Sequence, residues 1–171
     1  YKRQEGTHSE GAVIQHFGSS PIRSPRGTIE DVFHQVRSGS ANFGVVPVEN
    51  SSEGVVNATL NSLADEEIKI CGESYLTIHH QLASARKFKL ADAKIVASHP
   101  QALGQCSRWL DANLPNVNRE ITSSTAEAAK LSKTHPKTLC IVSSMAINKY
   151  KLHSYQKNIE DFSDNNTRFL V

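Results

Sequence analysis

Apolar positions along this chain switch between helical and extended spacing. Val32, Phe33 and Val36 share a helix face behind Thr28-Ile-Glu-Asp31, a cap residue with an acid three positions on, and Gly39 is placed to end that helix. Phe43-Gly-Val-Val-Pro-Val48 is a short apolar run and predicts a buried strand. Helical spacing returns from Val55 to Leu63, and Ile68 to Leu82 reads as one long extended segment. Lys94 to Ser98 predicts a strand that stops at His99-Pro100. Pro100 then opens a helix running to about Leu114, ahead of Pro115. Ser123-Ser-Thr-Ala-Glu127 is a second capping signature and opens a helix through Lys133. Thr138 to Val142 is another buried strand, leading through Ser143-Ser144 into a short helix to Tyr150, and Thr167 to Val171 is the terminal strand. Strands alternating with helices argue for an α/β fold.

Several strands end in small polar residues that open a helix: Ser98/His99, Ser123/Ser124, Ser143/Ser144 and, more loosely, Asn50-Ser51-Ser52. Helix N-termini carry free N–H groups and partial positive charge, so such junctions suit small anions, although every helix also needs a cap. The charge of the chain is compatible with this. The net charge is +2, and basic residues scatter from Lys2 to Arg168 instead of clustering, which argues against a nucleic-acid surface. No apolar run approaches the ~20 residues that span a bilayer, and no signal-peptide pattern opens the chain, so a cytoplasmic protein without a membrane partner is expected. Cys71, Cys106 and Cys140 are odd in number and fit no metal or disulfide spacing; buried free thiols are expected. His79-His80, and His99 with Cys106, match no common metal site, and structural or hinge roles are expected of them.

Specific strings then narrow the reading. They are Glu5-Gly-Thr-His-Ser-Glu10, Gly44-Val-Val-Pro-Val-Glu-Asn-Ser51 with Glu53-Gly54, Ser98-His-Pro-Gln-Ala-Leu103 with Gln105-Cys106, Ser123-Ser-Thr-Ala-Glu-Ala-Ala129, and Asn166-Thr-Arg-Phe169. In this order they resemble the prephenate dehydratase family along essentially the whole chain. The resemblance implies a two-lobed α/β fold like the periplasmic binding proteins, with the active site in the interlobe cleft. The chain would cross between lobes near Thr77 to His80 and return near Asn158 to Asp161. One lobe would hold residues 1–78 with 161–171, the other 79–160.

The resemblance implies a reaction: decarboxylating dehydration of prephenate to phenylpyruvate, in phenylalanine biosynthesis. Gain of aromaticity drives it, so no metal, nucleotide or redox cofactor is expected. The enzyme must hold a dianion, help a hydroxyl depart and exclude water. By resemblance, Thr167 is the leading catalytic residue, placed to hydrogen-bond the departing hydroxyl. A Thr hydroxyl is too weak an acid to act alone, so it serves as an orienting donor or relay. Asn50, Ser98 and Gln105 match positions that bind or polarise substrate. Thr7, Ser9, Ser51, His99, Ser123, Ser124, Thr125 and Phe169 are secondary candidates. Glu49 reads as a carboxylate that fixes neighbouring donors, since a free carboxylate would repel the dianion. Strand alternation puts Thr167 and Phe169 on one face and Arg168 on the other, leaving Arg168 either an ion-pair role or a substrate contact.

The chain departs from the family pattern at Tyr1-Lys-Arg-Gln4 and at His8, where an aromatic is usual. No regulatory domain is expected after Val171 and no mutase domain before Tyr1, so a domain cut from a longer chain, unresponsive to phenylalanine, is expected; a homodimer stays open. The same fold acting on arogenate is the nearest rival. A small-anion-binding module is the rival from another class, and a non-aromatising decarboxylase is disfavoured by Thr167-Arg-Phe169.

Overall fold

A computed structural model describes residues 7–65 and 68–171. Tyr1 to Gln4, and Glu5-Gly6 of the first string, lie outside the described residues. The chain divides into two compact units, Tyr1–Ile78 with Asp164–Val171, and His79–Ser163.

The first unit carries helix α1 (His8–Phe17), α2 (Ile29–Arg37), strands β1 (Val46–Asn50) and β2 (Gly54–Val55), α3 (Asn57–Asp65), β3 (Glu73–Thr77) and the last strand of the chain (Asn166–Leu170, β9 in chain order). Its sheet runs β2-β1-β9-β3, with every pairing antiparallel. The last strand is buried on both faces. Phe169 packs with Ala12, Val13, Val45 and Val171 on the α1 side, while Leu170 packs with Ile29, Val32, Phe33 and Val46 on the α2 side. Alternating side chains on one strand thus anchor two cores. The capping box at α2 forms as read: Thr28 Oγ1 accepts from Asp31 N and Asp31 Oδ2 accepts from Thr28 N. Gly39 follows at φ 73°, the left-handed region that glycine supplies at helix ends.

The second unit holds β4 (Gln81–Ser84), β5 (Ile95–Ser98), α4 (Pro100–Gln105), α5 (Ser107–Asn113), β6 (Asn118–Ile121), α6 (Thr125–Thr134), β7 (Thr138–Val142), α7 (Ser144–Tyr150) and β8 (His153–Lys157). Its sheet runs β6-β5-β7-β4-β8, parallel among β6, β5 and β7 and antiparallel toward β8. Central β7 is wholly buried. Leu139 and Ile141 face the cluster with Leu103, Cys106 and Leu110, while Cys140 and Val142 face Ala128, Ala129 and Ala146. A helical layer on each face explains the continuous apolar run of β7.

Four readings change. The strand expected at Phe43–Val48 is displaced to Val46–Asn50, and Phe43 is 57% exposed. Gly44 instead lies against α2, where a Cβ would stand 2.8 Å from Val32 Cγ1. The long extended segment breaks into β3 and β4, one in each unit, because residues 78–80 bond elsewhere: Ile78 N to Asn165 O, and His80 N to Glu160 Oε2. The helix expected from Pro100 to Leu114 breaks at Cys106 (φ −116°, ψ 14°). Asp161 caps the new N-terminus there, accepting from Ser107 Oγ, Arg108 N and Trp109 N. Cys71 is exposed, whereas Cys106 and Cys140 are buried as expected. Helix α1 and edge strands β6 and β8 were unforeseen. Among the described residues no helix is long and apolar enough to cross a membrane.

Candidate active site

Asn50 ends β1 and pairs in register with Thr167 on β9. A β-bulge sets this pairing. Pro47 faces Phe169, but Glu49 faces Arg168, so Val48 is the extra residue. Regular pairing would carry Glu49 opposite Thr167; one inserted residue moves it off and brings Asn50 there instead. The Asn50 side chain is then fully bonded. Its Oδ1 accepts from Ser52 N (3.0 Å) and Glu53 N (3.1 Å), which turns Nδ2 the other way. Nδ2 donates to Asn165 Oδ1 at 2.7 Å and to Thr167 Oγ1 at 2.8 Å. Thr167 Oγ1 receives that hydrogen, and its own O–H is donated to none of the described residues.

The neighbours of this pair divide into braces and core. Ser51 Oγ donates to Asp164 O and accepts from Asn166 N, both at 2.9 Å, tying the end of β1 to the start of β9. Arg168 takes the ion-pair role: Nε and Nη2 reach Glu73 Oε2 at 2.9 and 2.6 Å, and its guanidinium lies 5.8 Å from the Tyr75 ring centre. Glu49 makes no side-chain hydrogen bond among the described residues and is exposed, so it does not fix neighbouring donors as expected; the bulge has turned it to the Arg168 face. Phe169 is 1% exposed and packs in the core with Ala12, Val13, Val45 and Val171. Thr7 occupies the cap position of α1 without capping it, and its buried Oγ1 has no partner among the described residues. Ser9 is buried on α1.

In the second unit Ser98 was expected at a strand end beside the next helix's N-terminus, at a junction suited to a small anion. It is 0% exposed, and its Oγ donates to Ile141 O at 2.8 Å, so its only hydrogen is already engaged within the sheet. His99 caps α4, its Nδ1 accepting from Gln101 N at 3.4 Å. The α6 terminus already takes one of the chain's own carboxylates. Glu127 Oε2 accepts from Ser123 Oγ (2.6 Å) and Ser123 N (2.7 Å), while Ser124 Oγ accepts from Glu127 N. Those bonds from Ser123 hold the Glu127 carboxyl below its usual pKa. Thr125 follows in the first turn. Cys106 and Cys140 are poor nucleophile candidates, because burial pushes both thiols up, Cys140 to about 12.

Gln105 stands in a different environment. Its Oε1 lies 2.8 Å from His80 Nε2, and its backbone O accepts from Asp161 N at 2.7 Å. Its Nε2 is buried and has no acceptor among the described residues. A buried amide nitrogen left unpaired costs about 1–3 kcal/mol, a cost that proteins carry where a ligand is to be met. His80, 3% exposed, is neutral-favouring: burial lowers its pKa against the opposing Gln105 bond. Glu160 Oε1 and Oε2 accept from His79 Nδ1 (2.7 Å) and His80 N (2.9 Å). The sequence reading missed Asn165, His80's bond to Gln105, and Glu160. Asn165 carried a usable signal, since it lies two residues before Thr167 and so shares its face. The contact between His80 and Gln105 has no local signature.

The family model for prephenate dehydratase matches residues 2–171. This chain belongs to the prephenate dehydratase family. It is 44% identical over 171 residues to the bifunctional chorismate mutase/prephenate dehydratase of Pseudomonas aeruginosa, covering all of this chain and 47% of that protein. It is 34% identical over 176 residues to the prephenate dehydratase of Bacillus subtilis, covering 100% of this chain and 62% of that one. The chain spans about half the length of the first of these relatives. The structure of prephenate dehydratase from Arthrobacter aurescens in complex with L-Phe superposes with a TM-score of 0.89 at 32% identity, over 99% of this chain and 58% of that one. GqqA, described as a novel type of quorum quenching acylase, shares the fold alone, with a TM-score of 0.85 at 24% identity. One fold therefore accompanies proteins described by different activities, and the function must be argued from side chains.

Proposed function

We propose that this chain catalyses the decarboxylating dehydration of prephenate to phenylpyruvate, a carbon–oxygen lyase reaction of phenylalanine biosynthesis. The observation that carries the reading is the Asn50–Thr167 hydrogen bond at 2.8 Å. With its oxygen already accepting, Thr167 has its O–H hydrogen available for another acceptor, as a departing hydroxyl oxygen requires. Asn165 and the backbone amides of Ser52 and Glu53 hold Asn50 in that role.

The bond to the ring carboxylate breaks, and its electron pair enters the ring as carbon dioxide leaves. The pair displaced across the ring expels the hydroxyl, which takes up one proton and departs as water. The Thr167 O–H stabilises charge growing on that oxygen, and a proton from solvent completes the balance. Thr167 need not ionise, which suits a hydroxyl of ordinary acidity. The displacement of Glu49 to the Arg168 face keeps a carboxylate away from a dianionic substrate.

The test is turnover of prephenate followed by the ultraviolet absorbance of phenylpyruvate, with arogenate in parallel to read the preference. Conversion of prephenate that requires Thr167 is expected. A folded protein that converts neither compound overturns the reading.

A further inference from the structure

Gln105 ends α4, and nothing in its own helix fixes the orientation of its side-chain amide. A primary amide has two nearly isosteric orientations, with donor and acceptor exchanged. The group that chooses between them lies 25 positions earlier in the chain. His80 Nε2 sits 2.8 Å from Gln105 Oε1. The His80 backbone is itself fixed, because its N donates to Glu160 Oε2 at 2.9 Å and its O accepts from Ile159 N at 3.1 Å. The next residue but one, Asp161, donates its N to the Gln105 backbone O and caps the helix that starts two residues later. The Gln105 backbone oxygen and side-chain oxygen are thus held by two connecting segments, at Asp161 and at His80.

From this geometry we infer that His80 is a positioning residue: its Nε2–H holds Gln105 Oε1 and so presents Gln105 Nε2 as the donor to substrate. With Nε2 protonated, the opposite amide orientation would set N–H against N–H and lose the bond. The buried Nε2 of Gln105 is then the donor without an acceptor among the described residues. Burial also lowers the His80 pKa, which keeps a single ring proton whose position decides the amide. His80 does not touch substrate; it acts through Gln105. The inference rests on the proposed function only where it names prephenate as the ligand.

Two measurements separate the inference from that reading. The first needs no substrate. Long-range proton–nitrogen spectra should show His80 as the Nε2–H tautomer, and the Gln105 side-chain amide signals, assigned by their loss in Gln105→Leu, should move in His80→Leu and return toward their place in His80→Gln. An Nδ1–H tautomer, or Gln105 signals that ignore His80→Leu, overturns the inference whatever the protein turns over. The second is a double-variant cycle on kcat/KM with prephenate, thermal melting being read alongside. His80→Leu should lower kcat/KM roughly tenfold, the effect of losing one orienting hydrogen bond. His80→Gln, which keeps a donor near the Nε2 position, should recover most of it. In the Gln105→Leu background, His80→Leu should have no further effect. Equal losses in both backgrounds would make His80 merely structural and overturn the inference. Absence of turnover in the parent protein sinks the proposed function and leaves the spectra to decide on His80.

Discussion

Asn50 and Thr167 sit opposite one another on neighbouring antiparallel strands, and the Asn50 amide donates to the Thr167 hydroxyl oxygen at 2.8 Å. The direction of that bond sets the chemistry. Were Thr167 the donor, its hydrogen would be lost to the protein; as acceptor it keeps the hydrogen for a ligand. The Asn50 oxygen faces two backbone N–H groups, so the amide cannot turn over without opposing donors.

Thr167→Ala removes that hydrogen and should lower kcat with prephenate by about 2–4 kcal/mol in barrier, the scale of losing one active-site donor. Thr167→Ser, which keeps the hydroxyl, should recover much of the rate. A melting temperature near that of the parent is expected for Thr167→Ser, while Thr167→Ala, which leaves one Asn50 Nδ2 hydrogen without its acceptor, should lose about 1 kcal/mol of stability. Turnover of Thr167→Ala within a few-fold of the parent would remove Thr167 from the reaction.

Asn50→Leu should cost both activity and stability. It leaves Asn165 Oδ1 without its donor and Ser52 N and Glu53 N without their acceptor, each in or beside a buried network. A loss of about 1–3 kcal/mol in urea unfolding is expected, with kcat falling as in Thr167→Ala. Unchanged stability would show that the network is replaced by water at no cost.

The chain announced its fold class and most of its inner elements, because buried strands such as Thr138–Val142 and capped helices such as Ile29–Arg37 carry local patterns. Edge strands Asn118–Ile121 and His153–Lys157 carry few apolar residues and escaped notice. For α1, the spacing of Val13 and Phe17 ahead of Gly18 was a readable but weak signal. Asn50 and Thr167 stood out as candidates by resemblance alone, and the face that Arg168 takes followed from alternation. The face of Glu49 did not, because an extra residue at Val48 reverses the alternation on which a strand reading depends. The surroundings of Ser98 were hidden for another reason: only the neighbouring strand β7 shows that its hydroxyl is bonded to Ile141 O.

Ser98→Ala should therefore destabilise. Removing the donor leaves the buried Ile141 carbonyl with one bond fewer, and a loss of about 1 kcal/mol is expected in chemical unfolding. A fall in kcat/KM larger than tenfold with unchanged stability would instead show that Ser98 acts on the substrate and not through the sheet.

Gly44→Ala tests the packing of α2 against the approach to β1. Replacing glycine usually stabilises by about 0.4–1 kcal/mol through the unfolded chain. Here the new Cβ would meet Val32 Cγ1 at 2.8 Å and Val36 Cγ2 at 3.1 Å, and Val32 is itself packed against Ile29, Phe33, Val46 and Leu170. Overpacking of this kind costs about 1–3 kcal/mol, so the clash should win and the midpoint of unfolding should fall. A stabilised variant would mean that α2 shifts freely.

Acid should weaken the second unit in two successive windows. Burial lowers the His80 pKa from 6.5, so the unfolded chain binds that proton more readily than the folded one. Its contribution is complete above about 6.5 and is lost as pH falls through the lower folded value. Glu160 behaves likewise for a different reason. Burial alone would raise its pKa, but the bonds from His79 Nδ1 and His80 N outweigh burial and leave it below 4.5. That stabilisation is complete above about 4.5 and fades as pH falls through the folded value. Stability rises with pH wherever the unfolded state holds more protons, and both groups have that sign. The midpoint of urea unfolding should therefore decline from about pH 6.5 downward and more steeply below about 4.5. His80→Gln should flatten the first decline, and Glu160→Gln the second. If both variants keep the full parental slope, the acid sensitivity comes from other groups and neither residue carries the linkage assigned to it.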